Sequence, residues 1–246
     1  MPLLDTDSDK HALPNAHYGY SAVKIDKLGA SEYTLAVIVN DVSSSVHDFK
    51  TEMEDALKEI IKACAKSPRA DNLLVRLVQF ANNVSETHGF KMLQDCNVDD
   101  YDDILHVGGS TALYDAAANA ISSASDYAKK LNDQDFKVNA IIIVITDGDD
   151  NVSLKGVDSV REALQRANRE ESLESIVTIL VGVNVQDQYM SNRLGEFKTK
   201  AGMTQYAELK NANANTLAKL ADFVSKSISA QSQSLGSGGA SKPLTL

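Results

Sequence analysis

Residues 35–39, Leu-Ala-Val-Ile-Val, form a short continuous apolar run rich in β-branched side chains, the pattern of a central strand covered on both faces. The run ends abruptly in Asn40-Asp41-Val42-Ser43-Ser44-Ser45. Phe49, Met53, Leu57, Ile60, Ile61 and Cys64 then recur at helical spacing, so this stretch reads strand, polar turn, helix. Related patterns follow. Residues 73–80 predict a second strand, and residues 84–93 a more polar one paired with it as a hairpin across Ala81-Asn82-Asn83. Leu113, Ala117, Ala120, Ile121, Ala124, Ala128 and Leu131 mark a helix whose small residues let it lie close to a sheet. Residues 139–145 form the most apolar strand, and residues 175–183 and 204–209 predict two more. Further helices are marked by Val157, Val160, Leu164 and Ala167, by Met190, Leu194, Phe197 and Ala201, and by Leu217, Leu220, Val224 and Ile228. Residues 18–28 predict one short edge strand, and residues 95–107 an acidic loop with one helical turn at 101–105.

Strands alternating with helices in this way predict a three-layer α/β fold. Its central sheet is mostly parallel with one antiparallel edge strand, and helices cover both faces. Residues 1–30 read as an N-terminal extension, poorly ordered over 1–17; residues 31–230 read as the domain; residues 231–246, with their Gly-Ser-Gly-Gly, read as a flexible tail. A chain of 246 residues that is 43% hydrophobic can bury one substantial core. A formal charge of −10 argues against a broad surface for nucleic acid or anionic membrane, which needs clustered Lys and Arg. The two cysteines, Cys64 and Cys96, supply no disulfide framework. The start of the sequence lacks a basic and a long apolar region, and no run is long enough to span a membrane. The expectation is a soluble cytoplasmic protein.

Three polar loops follow strands or precede helices: 41–45, 108–111 and 146–150. In the first, Asp41, Ser43 and Ser45 alternate, and alternate residues of an extended segment point the same way. A carboxylate and two hydroxyls are hard oxygen donors of the kind Mg²⁺ takes, with little protein charge. Serine and aspartate also cap helices, and on this pattern alone Ser43 and Ser45 fit a cap equally well. Thr111 in turn fits a cap for the helix that follows it.

Taken together, Asp41-x-Ser43-x-Ser45, Thr111 after Gly108-Gly109-Ser110, and Thr146-Asp147-Gly148 after the most apolar strand resemble the von Willebrand factor type A (vWA) domain with its metal-ion-dependent adhesion site, or MIDAS. The resemblance runs from about residue 32 to 229 and is closest to the intracellular, single-domain members. It implies a Rossmann-like fold and a divalent cation, Mg²⁺ or else Mn²⁺ or Ca²⁺. Ser43 and Ser45 would bind through their hydroxyls, Asp41 and Asp147 directly or through water, and Thr111 when a ligand is present. An acidic residue of a protein partner, such as an ATPase of the AAA+ class, would fill the open coordination place. The resemblance further implies that the closing helix shifts when ligand binds. Two departures are visible. Asn40 stands where the family has an apolar residue, and Phe49 follows Asp48 where a second metal site would continue. Asp149, Asp150 and Asn151 read as a solvated turn rather than a Ca²⁺ site, and His11, His17, His47, His88 and His106 show no ligand spacing.

The rival reading is a Mg²⁺-dependent phosphotransfer or hydrolytic enzyme using the strand-end aspartates. The chain has no phosphate-binding Gly-rich loop, no Asp-x-Asp after the first long strand, no Gly-x-Ser-x-Gly, and no lysine or arginine within the three loops. The sequence therefore favours a binding module over an enzyme.

Overall fold

A computed structural model describes residues 8–14 and 17–237. The strands are β1 (Ser8–His11), β2 (Tyr20–Val23), β3 (Glu32–Asp41), β4 (Leu73–Phe80), β5 (Val84–Met92), β6 (Lys137–Thr146), β7 (Ile176–Gly182) and β8 (Gln205–Glu208). The helices are α1 (Lys50–Ala65), α2 (Leu113–Asn132), α3 (Asp158–Arg169), α4 (Gln188–Ala201) and α5 (Ala214–Ser237). One sheet runs in the order β1-β2-β5-β4-β3-β6-β7-β8. From β4 to β8 every pairing is parallel; β5 returns antiparallel to β4, and β1 is antiparallel to β2.

The alternation of side chains along β3 and β6 divides the core. Leu35, Val37, Val39, Ile142 and Val144 face α2, α3 and α4, while Ala36, Ile38, Ile141, Ile143 and Ile145 face α1 and α5. The alanine stripe of α2 does what small residues allow. Ala116, Ala117, Ala120, Ala124 and Ala128 are all fully buried against the sheet. The parallel strands β3, β6 and β7 all end at one sheet edge, and the three polar loops gather there, where ligands bind in open α/β sheets.

The N-terminal extension is more ordered than its polarity predicts. Residues 8–11 form β1, and β2 lies parallel to β5, which places β5 inside the sheet rather than at its margin. A buried ion pair holds this addition. Arg76, 1% exposed, donates through Nε to Glu86 Oε2 at 2.6 Å and through Nη1 to Asn119 Oδ1 and Ser123 Oγ at 3.1 and 2.9 Å. Glu86 also accepts the Ser21 backbone N–H at 2.9 Å, so one carboxylate joins β2 to the charge. Gly89 is required at this junction, because a Cβ there would stand 2.2 Å from the Ser21 carbonyl oxygen.

Two boundaries move. The closing helix, marked by apolar residues up to Ile228, continues to Ser237, so 231–237 are helical rather than tail; the remaining expected tail lies outside the described residues. The turn expected at 101–105 is a 3-10 turn at Val98–Tyr101. Both cysteines are buried and free, and no helix among the described residues is long and apolar enough to cross a membrane.

The ion pair generates a stability prediction. Removing one partner of a buried pair leaves the other charge uncompensated, at a cost of about 3–5 kcal/mol. Glu86→Ala should lower unfolding free energy by about that amount in urea titrations and speed hydrogen exchange in β2. A loss below about 1 kcal/mol would show that Asn119 and Ser123 suffice to hold the guanidinium.

Candidate metal centre

Asp41 is the last residue of β3 and fully buried. Its neighbour across the β3–β6 pairing is the end of β6, where Thr146 donates its hydroxyl to Asp41 Oδ2 at 2.6 Å. The other oxygen, Oδ1, accepts the Ser43 backbone N–H at 2.8 Å, an Asx turn that reverses the chain out of the strand. Ser43 Oγ then lies 3.0 Å from Ser45 Oγ, and Ser45 donates to Asp147 Oδ1 at 2.9 Å. Asp41, Ser43, Ser45 and Asp147 are thus joined in one string, from the buried Asp41 and Ser43 through the exposed Ser45 to the half-buried Asp147.

The two capping alternatives are answered locally. Ser43 stands at the cap position of a 3-10 turn, Ser44–Phe49, yet its side chain makes no capping bond. The cap position of α2 is Ala112, which also carries none. Thr111 is positioned differently from the other four residues. Its N–H is taken by Asn151 Oδ1 at 2.8 Å and its carbonyl by the Asn151 N–H at 3.0 Å. The glycine loop before it is clasped to the first loop. Gly109 accepts the Ser44 N–H at 3.1 Å and donates its own N–H to Ser44 Oγ at 3.0 Å, while Gly108 donates to Val42 O at 2.8 Å. Only glycine fits at 109, where φ is +86° and a Cβ would meet the Asn82 side chain at 2.8 Å. Asn82 in turn accepts the Ser110 N–H at 2.8 Å.

Several supporting residues lie outside the five expected metal-site residues. Thr146, Asn82 and Asn151 have just been placed. Arg193 of α4 donates through Nε to Asp149 Oδ2 at 2.6 Å, so a cation does reach the third loop, already paired with a carboxylate. Asp150 accepts the Tyr114 N–H at 3.2 Å and the Ser153 hydroxyl, which makes the Asp149-Asp150-Asn151 turn a brace for α2. Asn40 is fully buried, and neither polar atom of its carboxamide has a partner among the described residues; nothing in the structure explains it. Of the histidines, His11 stacks on Tyr20 with ring centroids 4.8 Å apart, and His88 is buried between Gly89 O and Tyr101 OH at 2.9 and 2.8 Å. The ring of His106 is exposed while its backbone N–H bonds Gln79 Oε1 at 3.1 Å.

Burial pushes the Asp41 carboxyl up to about 6 from its ordinary 3.8, with Asp147 adding to the rise while the Thr146 and Ser43 bonds oppose it. Asp147 is raised as well, again mainly by burial. The donor set is all oxygen, with two carboxylates and two hydroxyls at its centre, and no group of three His, Cys, Asp or Glu able to hold a metal gathers here or anywhere else among the described residues. Those residues fit a hard divalent cation: two partly desolvated carboxylates gain from a positive charge beside them, and the hydroxyls complete a shell without over-neutralising it.

Residues 36–230 match the von Willebrand factor type A domain family, and the chain belongs to it. Domains of this family typically serve as metal-dependent protein-interaction modules. No curated protein matches the sequence. Among solved structures, the PilB minor pilin from Streptococcus sanguinis is similar with a TM-score of 0.59 and 17% identity, over 89% of this chain and 66% of that one. The pilus adhesin SpaC from Lactobacillus rhamnosus GG gives 0.58 and 11%, over 91% and 35%. Proximal thread matrix protein 1 from the mussel byssus, in a form with a zinc-occupied MIDAS motif, gives 0.52 and 18%, over 81% and 46%. The chain spans about two thirds of the pilin and less than half of the other two, and at these identities the likeness is one of fold.

The raised carboxyl of Asp41 predicts a pH dependence for the metal-free protein. A folded-state value above the unfolded one means the native state binds the proton more tightly. The contribution is fully present below about pH 4 and is lost as pH rises through about 6, a span of up to about 3 kcal/mol. Urea unfolding in EDTA should show wild type losing stability relative to Asp41→Asn over this interval. Parallel curves would mean that the Thr146 and Ser43 bonds outweigh burial.

Proposed function

We propose that this chain is a divalent-cation-dependent protein-binding module whose cation, Mg²⁺ in the first instance, is held by Asp41, Ser43, Ser45 and Asp147, with Thr111 joining in the liganded state. The observation that carries this reading is the chain of contacts from the Asp41 carboxylate, which accepts the Ser43 N–H at 2.8 Å, through the Ser43 and Ser45 hydroxyls, 3.0 Å apart, to Asp147 Oδ1 at 2.9 Å. A bound cation would supply positive charge that neutral hydroxyls leave poorly compensated, and so attract an outside carboxylate. The chain's own residues do the rest. Thr146 and the Ser43 N–H orient Asp41, the Ser44–Gly109 clasp fixes the two loops against each other, and Asn151 holds Thr111 by its backbone.

The partner in this reading is a protein presenting Asp or Glu, with an ATPase of the AAA+ class as one candidate, and no chemical step is assigned to the chain. The pairing of Arg193 with Asp149 supports that choice, since a phosphoryl-transfer site needs a cation directed at the transferring group. Two buried, free thiols support a reducing, cytoplasmic setting.

Metal and partner can be separated experimentally. A ligand that binds only the native state adds RT ln(1 + [L]/Kd), about 2.7 kcal/mol at a hundredfold excess over Kd, so millimolar Mg²⁺ should raise Tm above its value in EDTA. Asp41→Ala or Asp147→Ala should abolish both the shift and the calorimetric metal signal. Thr111→Ala should keep the metal and lose binding of a carboxylate-bearing peptide. Equal Tm in Mg²⁺ and EDTA, with no heat of metal binding, would defeat the reading.

A further inference from the structure

A cavity of about 450 Å³ lies between α2 and α3, with the N-terminal extension as its third wall, and none of the five candidate metal ligands lines it. Small-molecule sites occupy about 300–1,000 Å³. Hydrogen bonds across the helix pair close both ends of this space. At one end Asp115 of α2 accepts the backbone N–H of Leu154 at 2.8 Å and of Lys155 at 3.2 Å; at the other, Ser125 of α2 donates to Glu170 Oε2 at 3.1 Å. The stretch of α2 between these ties is about 15 Å long, which bounds the length of an occupant. The apolar walls include Leu13 and Tyr18 from the extension and Leu154, whose side chain is 68% exposed.

Glu162 and Arg166, one turn apart on α3, line the same space. In this order and at this spacing they form the favourable i, i+4 pair of a helix, and their surroundings do make local pairs: Asp158 meets Arg161 at 2.9 Å, and Asp126 meets Lys130 at 3.0 Å. Glu162 and Arg166 make none. Neither side chain has a hydrogen-bond or ion-pair partner among the described residues, and Glu170, the other carboxylate four positions from Arg166, is bonded by Ser125 instead. Two opposite and unpaired charges, about 6 Å apart along the helix axis, thus border an apolar space.

We propose that this cavity binds a short zwitterionic peptide of dipeptide length, with its carboxylate on Arg166, its ammonium on Glu162 and its apolar side chains against Leu13, Tyr18 and Leu154. An anion alone would meet Glu162 and Glu170 one turn to either side of Arg166, and a cation alone would meet Arg166 itself, so the lining selects a ligand that carries both signs. Two extended residues span about 7 Å, which matches the rise between the two side chains. The guanidinium fork takes a carboxylate through two parallel hydrogen bonds. The apolar walls then separate peptides with hydrocarbon side chains from those without.

The test is calorimetric titration of the full chain with leucyl-leucine, its C-terminal amide, its N-acetyl form and glycyl-glycine, all in EDTA so that the result stands apart from the metal-dependent reading. Leucyl-leucine should bind, and each of the other three should bind about tenfold more weakly. Arg166→Gln should lose about tenfold in affinity for leucyl-leucine and no longer distinguish it from the amide; Glu162→Gln should no longer distinguish it from the N-acetyl form. Ser122→Leu, which fills the cavity from the half-buried side of α2, should abolish binding with Tm unchanged. No heat from leucyl-leucine at millimolar concentration, or equal affinity for it and its amide, would overturn the proposal. Equal affinity for the N-acetyl form would overturn it in favour of the carboxyl end of a longer chain, and binding that survives Ser122→Leu would overturn it by placing the peptide elsewhere.

Discussion

The hydrogen bond from Thr146 to Asp41 is the contact on which the candidate site depends. It links the ends of β3 and β6, two ten-residue strands buried at every position but the first, and it can form because they run parallel in register to their ends. Burying a carboxylate is expensive unless its oxygens are bonded. Here the strand pairing supplies one donor and the Asx turn to Ser43 the other. The remaining features follow from that placement. The turn sets Ser43 and Ser45 beside each other, Ser45 reaches Asp147, and the glycine loop closes on Ser44.

Asp41, Ser43, Ser45 and Asp147 were legible because each lies next to a strand whose apolar run announces itself, so the strand's end locates the chemistry. Thr111 was legible through its glycines. The residues that brace them were not, because their roles depend on distant segments. Asn82 lies 28 positions from Ser110, Asn151 lies 40 from Thr111, and Arg193 lies 44 from Asp149. Thr146 was quoted in the motif but its bond spans 105 positions. The ends of the fold were hidden for another reason. Ser8–His11 has no apolar pattern, and it becomes a strand by pairing with β2, a case of tertiary context overriding composition. At the other end, Gln231 and Ser232 read as solvated residues, yet both are fully buried. Polarity signals exposure only when no partner waits inside.

The two edges of the sheet are consequently built on opposite terms. At the carboxyl edge, oxygens are concentrated and backed by bonds from behind, so that their outer sides stay available. At the amino edge, polar side chains bond one another and the backbone within the protein, although the buried Gln231 Oε1 has no partner among the described residues. Thr34 donates to Asn139 at 2.7 Å, Asn139 donates to the Gln231 carbonyl at 2.6 Å, and the Gln231 amide donates to Ala140 O and Ser175 Oγ at 3.1 and 2.9 Å. Arg69 adds Ser232 and Glu32, at 3.1 and 2.5 Å. One edge can take a ligand, while the other fastens helix α5 to β3 and β6.

That fastening bears on the helix shift implied by the resemblance. A displacement of α5 along its axis as a rigid rod would break the bonds of Asn139 and Gln231 together, and both residues are fully buried. Each buried group left unpaired costs about 1–3 kcal/mol, and differential affinities that drive allosteric changes are typically about 1–3 kcal/mol in all. The lock therefore opposes a rigid slide with more than a typical ligand supplies. The start of α5 is under no such constraint: Thr216 is bonded only to Asn211 and Asn213, in exposed positions. Any response of α5 to the opposite edge is thus confined to bending or re-packing in its first turns, around Leu217 and Leu220, with Gln231 as the fixed point.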